Sequence, residues 1–79
     1  MFFYVYVLLS SRDSKFYIGF TNNLRRRLRE HQRGKNISTA MRRPLRLIYF
    51  EGHLTAEAAR KRERYFKTTK GKTMLRNII

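Results

Sequence analysis

The chain predicts an α+β domain with its elements in the order β-β-α-β-α-α. Three observations carry this. Apolar, aromatic and β-branched residues gather in three short runs, Phe2 to Leu9, Lys15 to Phe20 and Leu45 to Glu51. Between Thr21 and Gly34 and between Thr55 and Lys67 the pattern changes to helical spacing with marked ends. Met74, Leu75, Ile78 and Ile79 then recur at helical spacing. The 79 residues make one domain, residues 1–79. A chain of this length buries only about 60–65% of its unfolded surface, so its core is small.

The first run is almost continuously apolar and reads as a central strand covered on both faces. Tyr4 and Tyr6 share one of those faces. Ser10 to Ser14 is turn material, which makes the second strand antiparallel to the first. In that second strand Phe16, Ile18 and Phe20 share one face, and Tyr17 and Gly19 the other. A glycine inside a strand costs stability, so Gly19 predicts a close approach by another backbone or a ligand. Whether Tyr6 and Tyr17 share a face depends on register, because a slip of one residue reverses it. Pairing Leu9 with Ser14 would set Tyr6 directly opposite Tyr17.

Thr21 or Asn22 can cap the first helix, and Gly34 suits the left-handed residue beyond its end. Leu24 and Leu28 mark its inward stripe. Arg27 and His31, one turn apart, border the buried surface and can touch one ligand. Arg25, Arg26, Arg29 and Arg33 form a solvated basic face, and Glu30 points away from the stripe. Lys35 to Arg43 is polar, basic and aperiodic, so it reads as a loop able to contact a nucleic-acid strand. Pro44 opens the third strand, which suits a first or edge position. His53 reads as a surface residue with no evident partner.

Thr55 caps the next helix, and Glu57 suits the dipole of its first turn. Ala58, Ala59, Tyr65 and Phe66 are assigned to its inward side. Glu63 falls at the border of that side and can also pair with Lys67. Of the five carboxylates, Asp13 belongs to a turn, Glu57 to a cap, Glu51 to a strand end, and Glu30 faces away. Glu63 is therefore the acid best placed for chemistry.

Nineteen Lys and Arg against five Asp and Glu give a formal charge of +14. A polyanion relieves that self-repulsion, and nucleic acid is the expected partner, its phosphates met by Arg25, Arg26, Lys35, Arg42, Arg43 and Lys67. The basic residues are spread over the whole chain, and no basic amphipathic helix has a large apolar face, so no membrane partner is expected. The opening apolar run is too short to span a bilayer and lacks the flanks of a signal peptide. With no cysteine, the chain fits a reducing compartment, and a cytoplasmic location is expected. There is no P-loop, paired-cysteine zinc spacing, serine elbow or dinucleotide fingerprint.

Tyr4-Val5-Tyr6, Tyr17-Ile18-Gly19, the Thr21 to His31 helix and Glu63 with Lys67 together resemble the GIY-YIG nucleases. The resemblance runs from Tyr4 to about Lys72. It is closest to small stand-alone bacterial members similar to the N-terminal nuclease domain found in the bacterial excinuclease ABC complex. Tyr4 stands where the family has its first glycine. The resemblance implies a three-stranded, mainly antiparallel sheet flanked by helices, and metal-dependent hydrolysis of DNA phosphodiester bonds in repair or recombination. It places Arg27 on the family arginine, His31 one turn later, and Glu63 on the metal-binding glutamate, with Asn77 the candidate for an asparagine that some members carry. One Mg²⁺ or Mn²⁺ is implied at Glu63. A magnesium ion can be held by one carboxylate while it keeps several waters. Arg27 would offset charge on the phosphate, Tyr6 or Tyr17 would deprotonate water, and His31 would relay the proton. Tyrosine ionises near pH 10, so that base needs cations beside it. Larger relatives carry targeting domains, and here a protein partner would supply targeting. A nucleic-acid-binding module without catalysis and a basic protein of a ribonucleoprotein remain as alternatives.

Overall fold

A computed structural model describes residues 1–79. Three strands, β1 (Phe3–Ser10), β2 (Phe16–Thr21) and β3 (Leu45–His53), form one antiparallel sheet in the order β2-β1-β3. The near-continuous apolar run is the central strand, and Pro44 precedes an edge strand. Four helices cover the sheet: α1 (Leu24–Gln32), α2 (Ile37–Ala40), α3 (Ala56–Phe66) and α4 (Thr69–Ile78). The α+β sheet-and-helix class agrees with the sequence reading, with one added helix, so the order is β-β-α-α-β-α-α.

That addition is α2, in the stretch expected to be a loop. Asn36 caps it by accepting the Ser38 N–H. Four residues are too few to show a period, so only the cap could have announced it. The α1 cap also falls one or two residues later than expected. Asn23 accepts the Arg26 N–H, while Thr21 Oγ1 accepts from the Asn23 N–H one step earlier. Gly34 is the left-handed residue past the helix end, with φ +75°.

Strand alternation divides the sheet into two faces. Val5, Val7 and Ile18 point toward α3 and α4 and pack with Ala59, Phe66 and Leu75 in the core. Tyr6, Leu8 and Ser10 point the other way, toward α1 and α2. On α3 the inward positions are Ala59, Arg62, Glu63 and Phe66, one helical stripe. Ala58 and Tyr65, assigned inward from the sequence, are exposed. Arg62 takes an inward place because its guanidinium lies over the Phe66 ring, 4.3 Å from the centroid, and bonds Glu51 at 2.7 Å.

Glu51 does more than end a strand. It accepts hydrogen bonds from the Tyr49 hydroxyl at 2.6 Å and from Arg62, and bonds His53 Nε2 at 3.0 Å. His53, expected to lack a partner, is the last residue of β3 and belongs to this network. The network ties α3 to β3 beside Glu63.

Candidate nuclease site

β1 and β2 pair with Tyr6 opposite Gly19 and Tyr17 opposite Leu8. This is two residues away from the pairing that would set the two tyrosines directly opposite. A two-residue shift keeps the parity, so Tyr6 and Tyr17 still share a face as diagonal neighbours, with ring centroids 6.4 Å apart. The close approach predicted at Gly19 is neither backbone nor ligand. It is the Tyr6 ring: a Cβ at Gly19 would lie 2.3 Å from both Cζ and Oη of Tyr6. Glycine here lets the Tyr6 side chain cross β2 toward the free edge of the sheet.

The Tyr6 hydroxyl ends on His31 Nε2 at 2.8 Å, and His31 Nδ1 meets Thr39 Oγ1 at 2.7 Å. Tyr6 and His31 are each 1% exposed and Thr39 is fully buried. His31 thus lies inside the fold rather than at its border. Both ring nitrogens are satisfied, and Thr39, which sequence reasoning missed, fixes the second. Burial first, and Arg27 next, hold the His31 pKa below the ordinary histidine value, so the ring is neutral near pH 7. Burial also drives the Tyr6 phenol above its ordinary pKa, with Tyr17 adding to the rise and Arg27 opposing it. In the protein alone Tyr6 is therefore held as a neutral phenol.

Around that hydroxyl stand the other members of the group. Arg27, Glu63 and Glu30 all act on Tyr6 electrostatically. Arg27 comes from α1 on one face of the sheet and Glu63 from α3 on the other. Arg27 lines a recess of about 250 Å³ with Phe20, Thr21, Ala56 and Arg60, while Glu63 is linked to the group through its electrostatic effect on Tyr6. The Arg27 guanidinium makes no hydrogen bond within the protein. Its Nε is the one buried side-chain nitrogen or oxygen without a partner, and Glu30 Oε1 is 3.4 Å away in an unfavourable direction for a bond. Glu30, expected to point away from the leucine stripe, pairs along the helix with Arg26 and Arg27. Glu63 is 21% exposed and 3.3 Å from Lys67 Nζ, so the border position and the helical ion pair coexist. Tyr17 is half-buried, its ring 5.2 Å from that of His31, and its hydroxyl has no hydrogen-bond partner.

Asn77 lies exposed in the last turn of α4 and bonds none of these residues. Arg25 and Lys35 are exposed without ion pairs. Arg42 and Arg43 are engaged internally. Arg42 Nε donates to Asp13 at 2.8 Å and its Nη2 reaches the Lys15 and Phe16 carbonyls, which fastens the β1–β2 turn. Arg43 lies on Gly34 and donates to the Ala40 carbonyl at 2.9 Å.

No group of three or more His, Cys, Asp and Glu side chains converges as a metal cage. Glu63 offers a single carboxylate, paired with Lys67 and felt by the Tyr6 phenol. Such a hard oxygen set fits Mg²⁺ or Mn²⁺ when water and phosphate oxygens complete the shell, and does not fit zinc. No helix is long and apolar enough to cross a membrane.

The model for the GIY-YIG catalytic domain matches residues 2–77. The UPF0213 protein spr1390 of Streptococcus pneumoniae is 44% identical over 68 residues, covering 85% of this chain and 68% of that protein. A UPF0213 protein of Bacillus licheniformis, BLi00048/BL00536, is 42% identical over 76 residues, covering 95% of this chain and 77% of the relative. The solution NMR structure of the UPF0213 protein BH0048 from Bacillus halodurans superposes with a TM-score of 0.61 at 31% identity, covering 99% of this chain and 85% of that one. These relatives are bacterial. The chain belongs to the GIY-YIG nuclease family, among its small UPF0213 members.

Proposed function

We propose that the protein is a metal-dependent endonuclease that hydrolyses DNA phosphodiester bonds. GIY-YIG nucleases act on DNA and generally depend on a divalent metal. The observation that carries the reading is the Arg27 guanidinium, without a hydrogen bond in the protein and, with Tyr17 and Glu63, acting electrostatically on the buried Tyr6. A planar cation with free donors suits a phosphate and offsets the charge that builds on it during displacement. Glu63 would hold one Mg²⁺ or Mn²⁺, which when bound stabilises the leaving oxygen. Tyr17 is the better candidate to take the proton from water, since its hydroxyl is unbonded and partly exposed. Tyr6 and neutral His31 then serve as a rigid buried wall that fixes Tyr17 and Arg27, rather than as base and relay.

A second reading, a basic binding module without catalysis, is favoured by one observation: Lys67 already pairs with Glu63. A substrate panel separates the two. Wild-type protein is incubated with flap, branched, single-stranded and duplex DNA, with Mg²⁺ or Mn²⁺ and with EDTA. The nuclease reading expects nicking of at least one substrate that EDTA abolishes. Binding to all four with no metal-dependent product would overturn it in favour of the module.

A further inference from the structure

The face of the sheet that carries Tyr6 also carries an aromatic recess near the start of α1. Its cavity of about 480 Å³ is lined by Tyr4, Phe50, Leu24, Leu28, Asn22 and Arg25, among others. Tyr4 and Phe50 meet edge to face with centroids 6.2 Å apart, and Phe50 is 50% exposed. Half-exposed rings are out of place on a surface dominated by charge unless something covers them. Tyr4 also stands where the family motif has glycine, so one wall of the recess is a ring that the motif glycine would not supply.

We propose that this recess seats an unpaired nucleobase of a DNA strand whose phosphate lies at Arg27. The proposal rests on the nuclease reading for the phosphate, and on the recess itself for the base. The chemistry of the lining supports it. Phenyl and phenol rings with leucine beneath offer a stacking surface, which accepts any base. The Asn22 side chain, exposed and free of internal hydrogen bonds, offers both a donor and an acceptor to a base edge. Arg25 is exposed and has no ion pair, so the rim carries a cation and no carboxylate. The recess also adjoins the site. Asn22 lines both this cavity and the one containing Arg27, so a nucleotide can span the two. A second copy of the chain fits less well, because its contact would press two surfaces of a +14 protein together. A paired base cannot enter, since its faces are covered by its stacking neighbours. The expected ligand is therefore single-stranded DNA or an unpaired nucleotide at a flap or junction.

The test uses the full-length Glu63→Ala variant, so that bound DNA survives. Fluorescence anisotropy compares a short single strand with its duplex across a salt series. The single strand is expected to bind more tightly, and adding Phe50→Ala is expected to remove at least fivefold of its affinity. Duplex affinity and the slope against log salt should stay unchanged, because stacking releases no counterions. Phe50→Trp should restore the preference, and 2-aminopurine in the strand should be quenched by the protein carrying Phe50 and not by the Phe50→Ala form. Equal loss on both DNAs, a changed salt slope, or no loss would overturn the proposal. So would a monomer–dimer equilibrium that Phe50→Ala abolishes while strand preference persists. A base pocket that passes these tests in a protein that cleaves nothing would leave this inference standing and remove the nuclease reading.

Discussion

Gly19→Ala tests the packing on which the site depends. Gly19 has ordinary extended backbone, so alanine is conformationally allowed there. Replacing glycine within a strand would by itself favour the folded state by about 0.5–1 kcal/mol. The added Cβ, however, would meet Tyr6 Cζ and Oη at 2.3 Å. Overpacking of that kind costs about 1–3 kcal/mol. If the ring yields, the Tyr6–His31 bond of 2.8 Å breaks and leaves a buried imidazole nitrogen unpaired, a further cost of about 1–3 kcal/mol. The unfavourable terms win, with a net loss of about 1–5 kcal/mol. At about 4–8 °C per kcal/mol for a domain of this size, Tm should fall by at least roughly 4 °C. Thermal and urea unfolding followed by circular dichroism measure it. In a Tyr6→Leu background the same alanine should cost little, because the ring it strikes is gone. A Gly19→Ala protein as stable as wild type, or more so, would refute the packing argument.

Other outcomes follow from the same contacts. Thr39→Val keeps the shape but leaves His31 Nδ1 without its partner, so it should cost about 1–3 kcal/mol in urea unfolding. The His31 imidazole should titrate by NMR below the ordinary value near 6.5, and Arg27→Gln should move its midpoint upward, because Arg27 contributes to the depression. An unmoved midpoint would place Arg27 away from the ring. At Glu51, burial alone would raise the carboxyl pKa. Hydrogen bonds from Tyr49, Arg62 and His53 outweigh it and hold the pKa below the usual carboxylate value. Glu51 therefore adds stability above pH 4.5, its ordinary pKa, and that stability is lost as pH falls through the lower folded value. The stability gap between wild type and Glu51→Gln should be wide at pH 7 and narrow in acid. A gap that widens in acid would contradict the sign.

The central strand, the edge position of β3, the Thr55 cap and the left-handed Gly34 were all legible, because each depends on local chemistry. The tyrosine pair was legible only up to parity. Gly19 announced a close approach, but the sequence could not say that Tyr6 supplied it. Partners distant along the chain were the hidden part. Thr39 lies in a helix too short to show a period, and nothing nearby marks it as the acceptor or donor for His31. Arg42 and Arg43 looked like free cations until the fold brought Asp13 and Gly34 under them. Glu51 seemed a strand end because its partner Arg62 reaches it only when α3 packs on β3. The assignment of Ala58 and Tyr65 to the core failed for a related reason. Arg62 and Glu63, both charged, hold the inward stripe, Arg62 over the Phe66 ring and Glu63 paired with Lys67.

The proposed chemistry turns on one carboxylate acting with Arg27 and Tyr17 on a bound phosphate. The direct measurement is the single-turnover cleavage rate of Glu63→Gln at saturating DNA with Mn²⁺, with binding followed on the same samples. A fall of at least about a hundredfold in rate is predicted, as expected for loss of a group that stabilises the transition state, with affinity equal to or tighter than wild type. Cleavage at the wild-type rate by Glu63→Gln would contradict it.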